Sequence, residues 1–142
     1  MARNDDEEEI RAQEKEARRV GYEVAEQLPM RGEEQLSGHF RWIAGHLAPE
    51  TMSDKTPVER RRHRQEISKY IKEVSDVVRE KHIQRNREFS CIDQFDECVR
   101  KRKRQKKSPY LCSVALFICL ANSVKVLVTA VAAGAVTGDL LR

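Results

Sequence analysis

The stretch VRKRKRQKKSPYLCSVALFICLANSVKVLVTAV, residues 99–131, decides how this chain folds. Seven of the eight residues from Arg100 to Lys107 are basic, and from Tyr110 onward the sequence turns almost wholly apolar. Two structures fit such a junction. One is a membrane span behind a polybasic collar; the other is half of a helical hairpin clipped by its cysteines.

The span meets the length requirement. A transmembrane helix needs about 20 predominantly apolar residues, and residues 110–130 supply 21, with Lys125 the only charge. A mid-membrane lysine costs about 2.5–3.5 kcal/mol on insertion scales. The Leu, Ile, Val, Phe, Ala and Cys residues around it together outweigh that cost, and the lysine stem can snorkel toward the far interface. Arg100, Lys101, Arg102, Lys103, Arg104, Lys106 and Lys107 stand before the span, with Asp139 and Arg142 after it. The positive-inside bias then keeps the N-terminal body cytoplasmic. On this reading the seven bases contact anionic lipid, each worth about 1 kcal/mol at a negative surface.

The cysteines support the hairpin. Cys91 and Cys98 are seven apart, as are Cys112 and Cys119. A turn centred near Gln105 sets Cys98 opposite Cys112 and Cys91 opposite Cys119. Against this, a stapled hairpin needs an oxidising compartment, and the acidic opening MARNDDEEEI is no secretory signal. A helix apolar all round also belongs in a large core or a membrane, and one amphipathic partner covers only one face. The C-x6-C spacing is too wide for ordinary zinc ligand pairs, so no metal is expected. The sequence therefore favours the membrane span.

Working outward, residues 56–108 carry 17 bases against 9 acids, and residues 1–35 carry 11 acids against 6 bases. This asymmetry points the middle of the chain at a polyanion, membrane headgroups or, as the weaker reading, nucleic acid. Thr56, Pro57 and Glu59 form a capping box with a first-turn proline. From there the stripe Ile67, Ile71, Val74, Val78, His82, Phe89, Ile92, Phe95 and Val99 predicts one long basic amphipathic helix over 57–104, a coiled coil or extended stalk. Any break is expected where the stripe weakens, around Lys81, His82 and Arg85. Acids Asp93, Asp96 and Glu97 are expected to pair with Arg100 and Lys101 along the helix surface. A second basic cluster, ERRRHR at 59–64, opens the helix.

Upstream, a thin stripe of Ile10, Ala17, Val20, Val24 and Leu28 predicts a helix over 5–28, exposed or dependent on a partner, with Asn4 as its cap. Leu36, Phe40, Ile43 and Leu47 predict a second helix over 33–47. The apolar faces Leu36, Phe40, Ile43 and Ile67, Ile71, Val74, Val78 are the expected protein-docking residues. Within the tail, Cys112, Cys119 and Asn122 lie on a line of small residues, and Gly134 and Gly138 form a GxxxG. These predict helix association in the membrane and homo-oligomers.

No nucleotide, hydrolase or zinc-protease motif occurs, and His39, His46, His63 and His82 are dispersed, so neither catalysis nor a cofactor is expected. The expected protein is all-α, with an acidic helical segment at 1–35 and a short apolar helix and linker at 36–55. The long basic helix with its polybasic end occupies 56–108, and a transmembrane anchor with a short tail occupies 109–142. Its expected role is a noncatalytic, single-pass, tail-anchored membrane adaptor. The alternatives are a soluble structural protein with the stapled hairpin and a basic nucleic-acid-binding protein.

Overall fold

A computed structural model describes the backbone of residues 2–31, 33–47, 49–81 and 86–133, with side chains placed at 7–29, 33–47, 50, 52–79 and 91–124. Among these residues the chain is all-α. Helix α1 covers Ala2–Gln27 and ends in a 3-10 turn at Leu28–Arg31. Helix α2 is Glu34–His46, α3 is Pro49–Ser53 and α4 is Pro57–Lys81. Helices α5, Asn86–Arg104, and α6, Tyr110–Ala133, complete the fold.

The capping box forms at the start of α4. Glu59 N–H donates to Thr56 Oγ1 at 3.2 Å, and Thr56 N–H donates to Glu59 Oε1 at 3.1 Å. Each bond satisfies a backbone donor that the first turn would otherwise leave open. Asn4 lies inside α1 rather than capping it.

Side-chain contacts fix the direction of every long helix. Ser37 Oγ donates to the Ala25 carbonyl, and Gly21 faces Ala44, so α2 runs back along α1. His39 meets Tyr70 and His46 meets His63, so α4 reverses α2. Glu14 meets Tyr110 and Gly21 meets Phe117, so α6 lies parallel to α1. The disulfides make α5 antiparallel to α6. The result is an up-and-down bundle in which α6 packs on α1, α4 and α5, and Phe40 of α2 reaches Phe117 at a ring separation of 5.2 Å.

Residues 110–124, expected to lie in a membrane anchor, are packed among the other helices of this bundle. Among the described residues no helix is long and apolar enough to cross a membrane. Tyr110, Leu111, Cys112, Val114, Leu116, Phe117, Leu120, Ala121 and Val124 are instead buried inside the bundle. An all-round apolar helix needs cover on all sides, and four helices supply it together where one partner would fail. Between Tyr110 and Val124, only Ala115 and Asn122 are exposed.

The single helix over 57–104 is also corrected. It is two helices, α4 and α5, separated by residues 82–85, which lie outside the described residues. The gap falls where the apolar stripe weakens. The thin stripe of α1 is neither exposed nor dependent on a partner, because Ala17, Val20, Val24 and Leu28 are buried in the common core.

Gly21 sets how closely α1 approaches α6. A Cβ there would stand 2.8 Å from Phe117 Cζ and 3.0 Å from Ala44 Cβ, and Phe117 is fully buried against Phe40, with nowhere to swing. Gly21→Val should therefore lower stability by about 1–3 kcal/mol through overpacking, while Phe117→Ala should cost about 3–5 kcal/mol through the cavity it leaves. Urea unfolding followed by far-UV circular dichroism measures both, and an unchanged midpoint in either variant would refute this packing.

Candidate functional site

The α5–α6 hairpin is closed by two disulfides, Cys98–Cys112 and Cys91–Cys119, with Cα separations of 5.7 and 5.8 Å. Cys112 and Cys119 are thus bridged to α5 rather than placed for membrane association. Asn122 is exposed, and Gly134 and Gly138 lie outside the described residues.

At its apex the hairpin turns through a defined helix stop. Lys107 N–H donates to the Arg102 carbonyl at 2.9 Å and Lys106 N–H to the Lys103 carbonyl at 3.1 Å, the two bonds of a Schellman motif. Lys106 takes the left-handed conformation this requires, with φ 57°. Glycine ordinarily occupies that position, because a Cβ there costs roughly 1–2 kcal/mol. Arg102 Nε–H donates to the Ser108 carbonyl at 2.6 Å, and Tyr110 N–H donates to Ser108 Oγ at 3.3 Å, which fixes the turn to the start of α6.

Around this turn stand Arg100, Lys101, Arg102, Lys103, Arg104, Lys106 and Lys107. All are exposed except the half-buried Arg102. The ion pairs expected with Asp93, Asp96 and Glu97 do not form, and among the described residues none of the seven bases makes a salt bridge. The α5 dipole favours cations in its last turn. It does not remove the repulsion among like charges spaced three and four residues apart, a few tenths of a kcal/mol per pair. The Cys98–Cys112 bridge holds the cluster together against that repulsion.

Behind the tip lies a buried polar cluster joining α1, α4 and α6. The Arg64 guanidinium grips Glu7 through two hydrogen bonds, of 3.0 and 3.1 Å. Its Nε faces Glu14 Oε2 at 3.4 Å, an ion-pair contact without hydrogen-bond geometry. Tyr110 Oη–H donates to the same Glu14 carboxylate at 2.5 Å, and the Tyr110 ring lies 5.3 Å beneath the Arg64 guanidinium. The hydrogen bonds from Arg64 hold the Glu7 carboxyl below the usual carboxylate range. Burial, followed by the charge of Glu14, pushes the Tyr110 phenol well above its ordinary value. Burial opposes the charge on Arg64, but its bonds to Glu7 and the charge of Glu14 hold it firmly protonated.

The residues expected to dock a protein partner occupy the core. Leu36, Phe40, Ile43, Ile67, Ile71, Val74 and Val78 are all essentially inaccessible, and their apolar faces meet one another and α6. Of the four histidines, His39, His46 and His63 gather at one seam, and His82 lies outside the described residues. Across the α2–α4 seam, rings follow one another as His39, Tyr70, Trp42, His46 and His63, with Trp42 stacked on His46 at 3.8 Å and tilted against Tyr70 at 4.4 Å. His46 Nδ1–H donates to the Trp42 carbonyl, and His63 Nε2–H donates to the His46 carbonyl. The spacing of His39, Trp42 and His46 hinted at one shared face, but only tertiary structure brings in Tyr70 and His63. Among the described residues no group of three metal-ligating side chains is placed to hold an ion.

Against family models, curated proteins and solved structures, the chain finds no match.

Two measurements test this framework. In the chain-entropy model, loops of 14 and 28 residues give each bridge about 3–4 kcal/mol of stability. Cys91→Ser/Cys119→Ser should therefore lower the unfolding midpoint markedly, and reducing agent should not lower this variant's midpoint as far as that of the intact chain. The second measurement concerns alkaline pH. Because the Tyr110 pKa is raised in the fold, its contribution is intact below the unfolded value of about 10 and is lost as pH rises above it. Absorbance at 295 nm should show one tyrosine ionising only as the protein unfolds, and Tyr110→Phe should abolish that late step.

Proposed function

We propose that this chain is a noncatalytic helical interaction module whose stapled hairpin presents a basic tip to a polyanionic partner. The observation that carries the reading is the tip itself: seven bases that make no salt bridge among the described residues, on a turn fixed by a disulfide and by backbone hydrogen bonds. Charges left unpaired in this way repel one another in the free protein, and a polyanion relieves that repulsion while gaining several ionic contacts at once.

Burial of the apolar side chains from Tyr110 to Val124 inside the bundle supports a role for this helix in the core. The two bridges suit a compartment where thiols oxidise. The buried Arg64–Glu14–Tyr110 cluster reads as structural, because each of its charged members is occupied by another.

The test is retention on a sulfated polyanion such as heparin. The oxidised chain should bind at low salt and elute as salt rises. A variant carrying Arg100→Gln, Lys103→Gln, Arg104→Gln and Lys107→Gln should pass through at the same salt while keeping its helical circular dichroism. Equal retention of this variant would refute the tip as the polyanion site.

A further inference from the structure

We infer that the polyanion taken by the tip is the phosphodiester backbone of a nucleic acid, bound along the outer flank of α5 without sequence preference. This rests on the reading of the tip as a polyanion site and adds the class of partner.

The first observation is where the bases point. At 100° per residue, Arg100, Lys103 and Arg104 lie on the side of α5 opposite Cys98, the residue that ties this helix to α6. Together with Glu97 they line one open concavity. The cations thus form a lateral, outward-facing trough rather than a patch confined to the end of the hairpin.

The second observation is what stands beside the tip. Helices α1 and α6 keep one register: Glu14 meets Tyr110, 96 residues away, and Gly21 meets Phe117 at the same offset. The cysteine pairs set α5 against α6 in the same way. Arg104 then lies about level with Ile10 of α1, and α1 runs on past that level to Ala2, about 12 Å at 1.5 Å per residue. This projecting end is acidic, with Glu8 and Glu9 exposed and Asp5 and Asp6 preceding them in sequence. A flat anionic bilayer approaching the tip end-on would meet this end of α1 before it met the bases. A narrow phosphate strand can lie along the flank of α5 and avoid that end.

The third observation is Lys106. Its backbone takes the left-handed conformation in which glycine would be more stable. A lysine there adds charge to the turn at the expense of the fold, as expected where charge serves binding. None of the exposed large apolar side chains, Tyr22, Trp42 and Val58, belongs to the tip. Among the described residues the tip thus offers no ring for base stacking, and recognition there falls on phosphates.

The experiment is fluorescence anisotropy on the full oxidised chain. The probes are a labelled 20-nucleotide single strand and a 20-base-pair duplex, each in two unrelated sequences, over a series of salt concentrations. Sedimentation with vesicles containing phosphatidylserine is run in parallel. Binding should be independent of sequence and fall steeply with salt, with a log–log slope of about −3 to −5 for a handful of phosphate contacts. Lys103→Gln/Arg104→Gln should weaken it about tenfold or more and flatten the slope by about 2. Lys106→Gly should weaken binding while raising the unfolding midpoint, an opposition that no purely structural role for this lysine produces. Retention on heparin without nucleic-acid binding, or tip-dependent binding to vesicles in preference to nucleic acid, would overturn the inference and leave the polyanion site standing. Loss of heparin retention as well would overturn both.

Discussion

Everything in this structure depends on covering α6 from all sides. A helix carrying Tyr110, Leu111, Val114, Leu116, Phe117, Leu120 and Val124 needs cover on every side but the narrow stripe through Ala115 and Asn122. Each of its sides therefore dictates a neighbour: α1 through Gly21, α2 through Phe40, α4 through the shared core, and α5 through two covalent bonds. At about 25 cal/mol per Å² of apolar surface removed from water, this central burial is the largest favourable contribution the chain has available. The charge-rich outer helices need offer only one modest stripe each, which explains how sequences as polar as α1 and α4 take part in a stable core.

The same requirement explains why the sequence was readable in parts and ambiguous in one. The Thr56–Glu59 capping box and the mirror spacing of the cysteines are legible along the chain itself, and both appear in the structure at the positions where they were read. The fate of residues 110–124 is not local. A segment apolar on every face has one composition whether lipid or four helices surround it, and single-sequence reasoning tested it against one partner helix at a time. The stripes on α1, α2 and α4 looked like surfaces for other proteins for the same reason. Each was too thin to form a core alone, yet together they enclose α6. The His39–Tyr70–Trp42–His46–His63 ladder was hidden because its members come from two helices whose pairing is set by the core beneath them.

Charge is distributed with the opposite logic. Where bases and acids are drawn into the interior they are matched closely, as Arg64 is by Glu7 and Glu14, because an unpaired buried charge would cost several kcal/mol. At the hairpin apex the bases stay in water, where the absence of a partner costs little, and the fold tolerates their mutual repulsion through a disulfide one turn below. Stability alone does not call for that arrangement: acids at 93, 96 and 97 are close enough in sequence to pair with the cluster, and among the described residues they form no ion pair with it.

The hairpin therefore answers two demands with one set of bonds. Cys91–Cys119 lies deep beside the core, where Cys91 is buried and Ser123 Oγ approaches it at 3.8 Å, and it holds α5 against the central helix. Cys98–Cys112 lies near the apex, close to the Schellman turn and Lys106, where the side chains around it belong to the tip. The inner bridge completes the cover of α6, and the outer one keeps seven like charges at fixed positions. A hairpin closed only by apolar contacts would meet the first demand and fray under the second, since repulsion is greatest where those contacts end. Two bridges spaced two helical turns apart meet both, which gives the repeated C-x6-C spacing a physical purpose beyond stability.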